Sequence, residues 1–102
     1  LLHWAADSGN SESIKLILAL YPEKRRLKIV RSMKDSDEMT ALHFAAYSGN
    51  VESIGTILSL YPTEQHLEAL STEVDGYFRN ALHHAARSGN HEAITFVLSF
   101  IP

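Results

Sequence analysis

Six histidines in 102 residues are the side chains of this chain best suited to chemistry, as general bases or as metal ligands. Three of them, His3, His43 and His83, recur every 40 residues inside the phrase Leu-His-x-Ala-Ala-x-Ser-Gly-Asn. Zinc requires ligands about 2.0 to 2.1 Å from one ion, whereas neighbouring helices pack about 8 to 10 Å apart. Histidines that repeat with a stack therefore cannot share a metal. His84 and His91 stand outside the repeated slot, but Gly89 breaks the helix between them and no third ligand is evident. His66 reads as a solvent-facing residue. Ser8, Ser48 and Ser88 occupy identical Ser-Gly-Asn turns with no base placed beside them. The five glycines are scattered singly and form no phosphate loop. No catalytic residue, metal ligand or cofactor site is expected, and the chain does not read as an enzyme.

Seven of the nine Lys and Arg fall between Lys15 and Lys34, with Lys24, Arg25, Arg26, Lys28 and Arg31 crowded into residues 23–34. Such a segment could hold the phosphates of nucleic acid or of acidic lipid. Adding 40 to Lys24 and Lys28 gives Glu64 and Glu68, so the period also predicts a ladder of plus against minus between successive copies. Exposed pairs of this kind contribute about 0.2 to 1 kcal/mol each. No aromatic residue accompanies the cations to stack bases, which favours the ladder over nucleic acid.

The elements that carry these residues follow from the same period. Thr40 caps a short helix running from Ala41 to Ser48, and Gly49 ends it by taking a left-handed backbone conformation. Asn50 caps a second helix whose Ile54, Ile57, Leu58 and Tyr61 form one apolar stripe. Glu52 adds charge favourable to that helix's N-terminus. The equivalents are Ile14, Ile17, Leu18 and Tyr21 in the first copy, and Ile94, Val97, Leu98 and Ile101 in the third. The pairs Ala5-Ala6, Ala45-Ala46 and Ala85-Ala86 allow first helices of adjacent copies to approach closely. After Tyr21-Pro22 and Tyr61-Pro62 a third helix is predicted, with Leu27, Val30 and Met33, then Leu67, Leu70 and Val74, as its apolar side. Asp35-Ser36-Asp37-Glu38 and Asp75-Gly76-Tyr77 read as turns into the next hairpin. A fixed period of this size means that copies make the core between them.

Residues 35–58, together with their echoes, resemble the ankyrin repeat. The resemblance implies an all-α, ankyrin-like helical solenoid built from a helix hairpin plus an inserted third helix. Repeat 1 spans 1–34, repeat 2 spans 35–74 and repeat 3, incomplete, spans 75–102; the array reads as a piece of a longer protein. The period exceeds the family's 33 residues or so, and Glu38 and Phe78 stand where the family has a turn glycine, so the loop shape does not carry over. The family implies that the repeated histidine ties its helix to the adjacent loop, with Thr40 or Asn80 as partner. It further implies a concave face, made of loop tips and first helices, that grips a protein. On that face fall Trp4, Phe44 and His84, then Asp7, Tyr47 and Arg87, which change in kind while the letters around them stay constant. Loop residues Asp37, Met39, Tyr77 and Arg79 extend it. The opposing expectation for Trp4 and Phe44 is that they pack under the preceding loop.

Composition sets wide bounds: 45% apolar residues, 21% charged and a net charge of −3 are ordinary for a globular chain. The absence of cysteine removes disulfides and thiolate metal sites and fits an intracellular protein. No apolar run reaches the roughly 20 residues of a membrane span, so a soluble chain is expected. The array also resembles those in effectors that intracellular bacteria inject into host cells, which implies delivery into a host. The expected function is a protein-binding module without chemistry of its own. The alternatives are a regulatory or targeting segment of a larger enzyme or effector, and weak binding of nucleic acid or acidic lipid through residues 23–34.

Overall fold

A computed structural model describes residues 2–101, all of them in helix or loop. Leu1 and Pro102, the first residue of repeat 1 and the last of repeat 3 in the sequence reading, lie outside the described residues. Helices α1 (Leu2–Ser8) and α2 (Ser11–Leu18) form a hairpin followed by α3 (Glu23–Ser32). The middle copy repeats this with α4 (Ala41–Ser48), α5 (Val51–Leu58) and, after a 3-10 turn at Thr63–Gln65, α6 (His66–Thr72). The last hairpin pairs α7 (Ala81–Ser88) with α8 (His91–Leu98). The result is the all-helical stack of hairpins that the repeat predicts.

Capping works as the residue types require. Asn10 and Asn50 each accept the backbone N–H three residues on, at 3.0 Å, and Asn90 accepts those of Glu92 and Ala93. Thr40 and Asn80 cap α4 and α7, while Nδ1 of His43 and His83 accepts their backbone N–H groups at 3.0 Å. An accepting Nδ1 puts the ring proton of His43 on Nε2, which donates to the Glu73 carbonyl at 2.9 Å. His3 makes the equivalent bond to the Met33 carbonyl at 3.0 Å. The repeated histidine thus pins the end of each inserted helix to its own hairpin. Gly49 has φ +74°, and a Cβ there would lie 2.9 Å from the Asn90 side chain. Both backbone freedom and close approach require glycine.

The seam of the stack is α4 between α1 and α7, where Ala5, Ala6, Ala45, Ala46 and Ala85 are buried. Small side chains here let the helices pack closely. Behind them the predicted stripe is wholly buried, Ile54, Ile57 and Leu58 on α5 and Tyr61 just beyond its end. In α8 only Val97 of the stripe is buried, because no described helix packs on its far side. On the inserted helices Val30 and Leu70 are buried, whereas Met33 and Val74 at their ends are exposed. Arg26 donates Nε to the carbonyls of Leu18 and Tyr21, at 3.0 and 3.2 Å, and so closes the open C-terminal end of α2.

The predicted charge ladder is not formed. Lys24 and Lys28 make no ion pair with Glu64 or Glu68 among the described residues. The second insert begins as a 3-10 turn, and α3 packs mainly on α4 and α6 on α7, the first helix of the following copy in each case, rather than on one another. One bridge replaces the ladder: Arg31 Nε lies 3.6 Å from Glu73, which also accepts the Tyr61 hydroxyl at 3.1 Å. Burial and the Glu73 charge push the Tyr61 phenol upward.

Candidate functional site

The two loops that lead into α4 and α7 are built on aspartates. Asp35 Oδ1 accepts the N–H groups of Asp37 and Met39, both at 2.9 Å, and its own N–H donates to the Met39 carbonyl at 3.1 Å. Asp75 does the same for Tyr77 and Arg79. These short fingers are turns rather than paired strands, and each places a non-glycine residue at positive φ, Glu38 at +59° and Phe78 at +60°. The fingers also stack: the Gly76 N–H donates to the Asp37 carbonyl at 2.7 Å, and a Cβ on Gly76 would come within 3.0 Å of that oxygen.

Between the fingers and the first helices lies a depression of about 300 Å³ lined by Asp7, Met39, Phe44, Tyr47, Arg79, His84 and Arg87. The Arg87 guanidinium sits over the Tyr47 ring at 5.6 Å, and both side chains are exposed. Asp7 is exposed on the facing helix, and Phe44 is half-buried with its ring 5.2 Å from that of His3. The surface therefore offers one free cation, one free carboxylate and two aromatic rings.

Two expectations need correction. His84 does not present its ring, being only 2% exposed. Its Nε2 donates to Asp75 Oδ2 at 3.0 Å, so the finger closes over it, and Nδ1 is left buried without a partner. Met39 is 8% exposed and forms a wall of the depression rather than a projecting loop contact. Arg79 is partly committed, with Nε 2.9 Å from Asp75 Oδ2 and its guanidinium 4.8 Å from the centre of the Tyr77 ring. Trp4, Asp37 and Tyr77 lie outside the depression. Trp4 is 80% exposed, because no described loop covers it. The column of rings at one repeat position therefore runs from open to half-covered to sealed.

Buried Asp75 is a polar centre. Burial alone would raise its pKa, but the N–H groups of Arg79 and Tyr77 and the side chains of Arg79 and His84 outweigh it, holding the carboxyl well below the usual range. For His84 the balance goes the other way. Burial lowers its pKa first, the hydrogen bond to Asp75 opposes this, and the nearby His43 and Arg79 add to the lowering. A neutral ring donating Nε2–H to a carboxylate follows.

The sequence reading does not count Phe78 among the surface residues, yet it is 82% exposed on the fingertip beside Tyr77. Its signal was present, since it occupies the slot of a turn glycine. The repeated serines donate to the carbonyl three residues back, at 2.6 to 2.8 Å, in each first helix. Among the described residues no three His, Asp or Glu side chains gather closely enough to hold a metal ion, and no helix is long and apolar enough to cross a membrane.

A family model described as ankyrin repeats, in three copies, matches residues 2–101. No curated protein matches the chain.

Proposed function

The chain belongs to the ankyrin repeat family, and on that premise we propose that it is a non-catalytic module that holds a protein partner in the depression between its fingers and its first helices. One observation carries this reading. Residues that differ in kind between copies, Asp7, Phe44, Tyr47, Arg79 and Arg87, converge on one depression, while the constant His, Ser, Gly and Asn are consumed by the framework. Tyrosine and arginine are frequent anchors of protein interfaces, and Tyr47 with Arg87 forms an exposed pair already in contact. Tyr77 and Phe78 extend the surface along the fingertip. We further assign the module to a cell interior, the setting a cysteine-free chain fits. Its resemblance to injected effector arrays supports delivery into a host cell.

The test is affinity capture with the chain against a Tyr47→Ala/Arg87→Ala variant of unchanged melting temperature. A partner retained by the parent and released by the variant is the expected result. Equal retention by both sinks the assignment.

A further inference from the structure

Residues 23–34 carry six cations against one acid, a charge of +5 in a chain whose net charge is −3, so the remaining residues sum to −8. The missing ladder leaves this charge largely unneutralised. Arg26 is taken by the α2 carbonyls and Arg31 by Glu73, whereas Lys24, Arg25, Lys28 and Lys34 are exposed and make no ion pair among the described residues. At about 100° per helical residue, Lys24, Arg25, Lys28 and Arg31 fall within an arc of about 120°, opposite buried Val30. A shallow depression of about 380 Å³ runs along this face, lined by Lys24, Leu27, Lys28, Arg31 and Ser32. Exposed apolar side chains flank the helix, Leu20 before its start at 77% exposure and Met33 at its end.

We propose that the exposed face of α3 docks on an acidic lipid surface. Three unpaired cations on one side of one helix, Lys24, Arg25 and Lys28, with the exposed Arg31 beside them, suit a plane of anionic headgroups, and the flanking Leu20 and Met33 suit the boundary between headgroup and acyl chain, for which the edge of a nucleic acid has no use. No aromatic residue on the helix is available to stack bases. The acidic remainder does not oppose docking, because the molecule measures 32 × 26 × 25 Å and charge is screened over about 8 Å at physiological salt. This surface is separate from the proposed protein-binding depression and does not rest on it.

Sedimentation with vesicles of phosphatidylserine mixed with phosphatidylcholine tests the proposal, with pure phosphatidylcholine vesicles and a DNA duplex in parallel. Binding to the acidic vesicles that weakens with salt is expected. Lys24→Gln/Lys28→Gln should reduce it about 25-fold, since each cation near an acidic leaflet contributes about fivefold. The melting temperature should stay unchanged, because both lysines are exposed and unpaired. Leu20→Gln/Met33→Gln should weaken vesicle binding at constant charge. The proposal is overturned by no binding, by equal binding to neutral vesicles, by insensitivity to either double variant, or by tighter binding to the duplex at the same salt.

Discussion

His84 shows how one substitution within a repeat changes a residue's role. At the same slot Phe44 has only apolar contacts to offer, whereas His84 donates to buried Asp75 and thereby fixes the finger that carries Arg79 and Tyr77. Its pKa is lowered in the folded state, so below about 6.5 the unfolded chain takes up a proton that the native ring resists. The stability linked to this group is full above that pH and is lost as pH falls, with a slope of at most about 1.4 kcal/mol per pH unit. The depressed Asp75 carboxyl adds a second loss at lower pH, beginning near the ordinary aspartate value of about 3.9. Thermal melts between pH 7 and pH 5 should therefore fall more steeply for the parent than for His84→Gln, and parallel profiles would show the linkage absent. Phe78 makes the second residue-scale prediction. A left-handed backbone costs a non-glycine residue about 1 to 2 kcal/mol, so Phe78→Gly should raise stability by about 0.5 to 1 kcal/mol after glycine's greater unfolded-state entropy is allowed for. It should also weaken partner binding, because the proposed surface extends along the fingertip. Opposite signs in the two measurements separate a functional side chain from a structural one.

The elements are joined by a few bonds that reach beyond a single helix. The third helix is held to its hairpin by the repeated histidine reaching Met33 or Glu73, and to the neighbouring copy by the Arg31–Glu73–Tyr61 group. Glu73 is the junction, accepting from Tyr61 through its side chain and from His43 through its carbonyl. Glu73→Ala should cost about 1 to 2 kcal/mol, since it removes the partner of a mostly buried tyrosine hydroxyl. Glu64→Gln/Glu68→Gln should change stability by less than about 0.5 kcal/mol, the usual range for exposed sites. Denaturant midpoints compare the two directly, and a large loss in the second variant would restore the ladder.

At the scale of the molecule, stability follows from nearest-neighbour stacking, so the middle copy is the most constrained. Ala45 and Ala46 are fully enclosed between α1 and α7, whereas Ala86 at the equivalent position of the last hairpin is exposed. Ala46→Leu should overpack the seam by about 1 to 3 kcal/mol, and Ala86→Leu should be tolerated. A similar loss of melting temperature in both would argue against that stack. The residues of the array that were legible beforehand are those whose partners lie within their own helix turn: the Asn and Thr caps, the stopping glycines and the serines of the Ser-Gly-Asn turns. Their bonding is local and recurs unchanged, so types and spacing suffice. The candidate surface was legible only in part, because exposure depends on what the neighbouring copy puts overhead. Trp4, Phe44 and His84 share one slot yet end exposed, half-buried and sealed, and Met39 turns inward. By itself the sequence determined the hairpin, its period and its all-helical class, since local hydrogen bonding and apolar spacing repeat with the chain. Only the tertiary structure decided which cations remain free, which rings meet solvent and that Asp75 gathers Arg79 and His84, since those depend on how a loop closes over its own helix and on distances between copies.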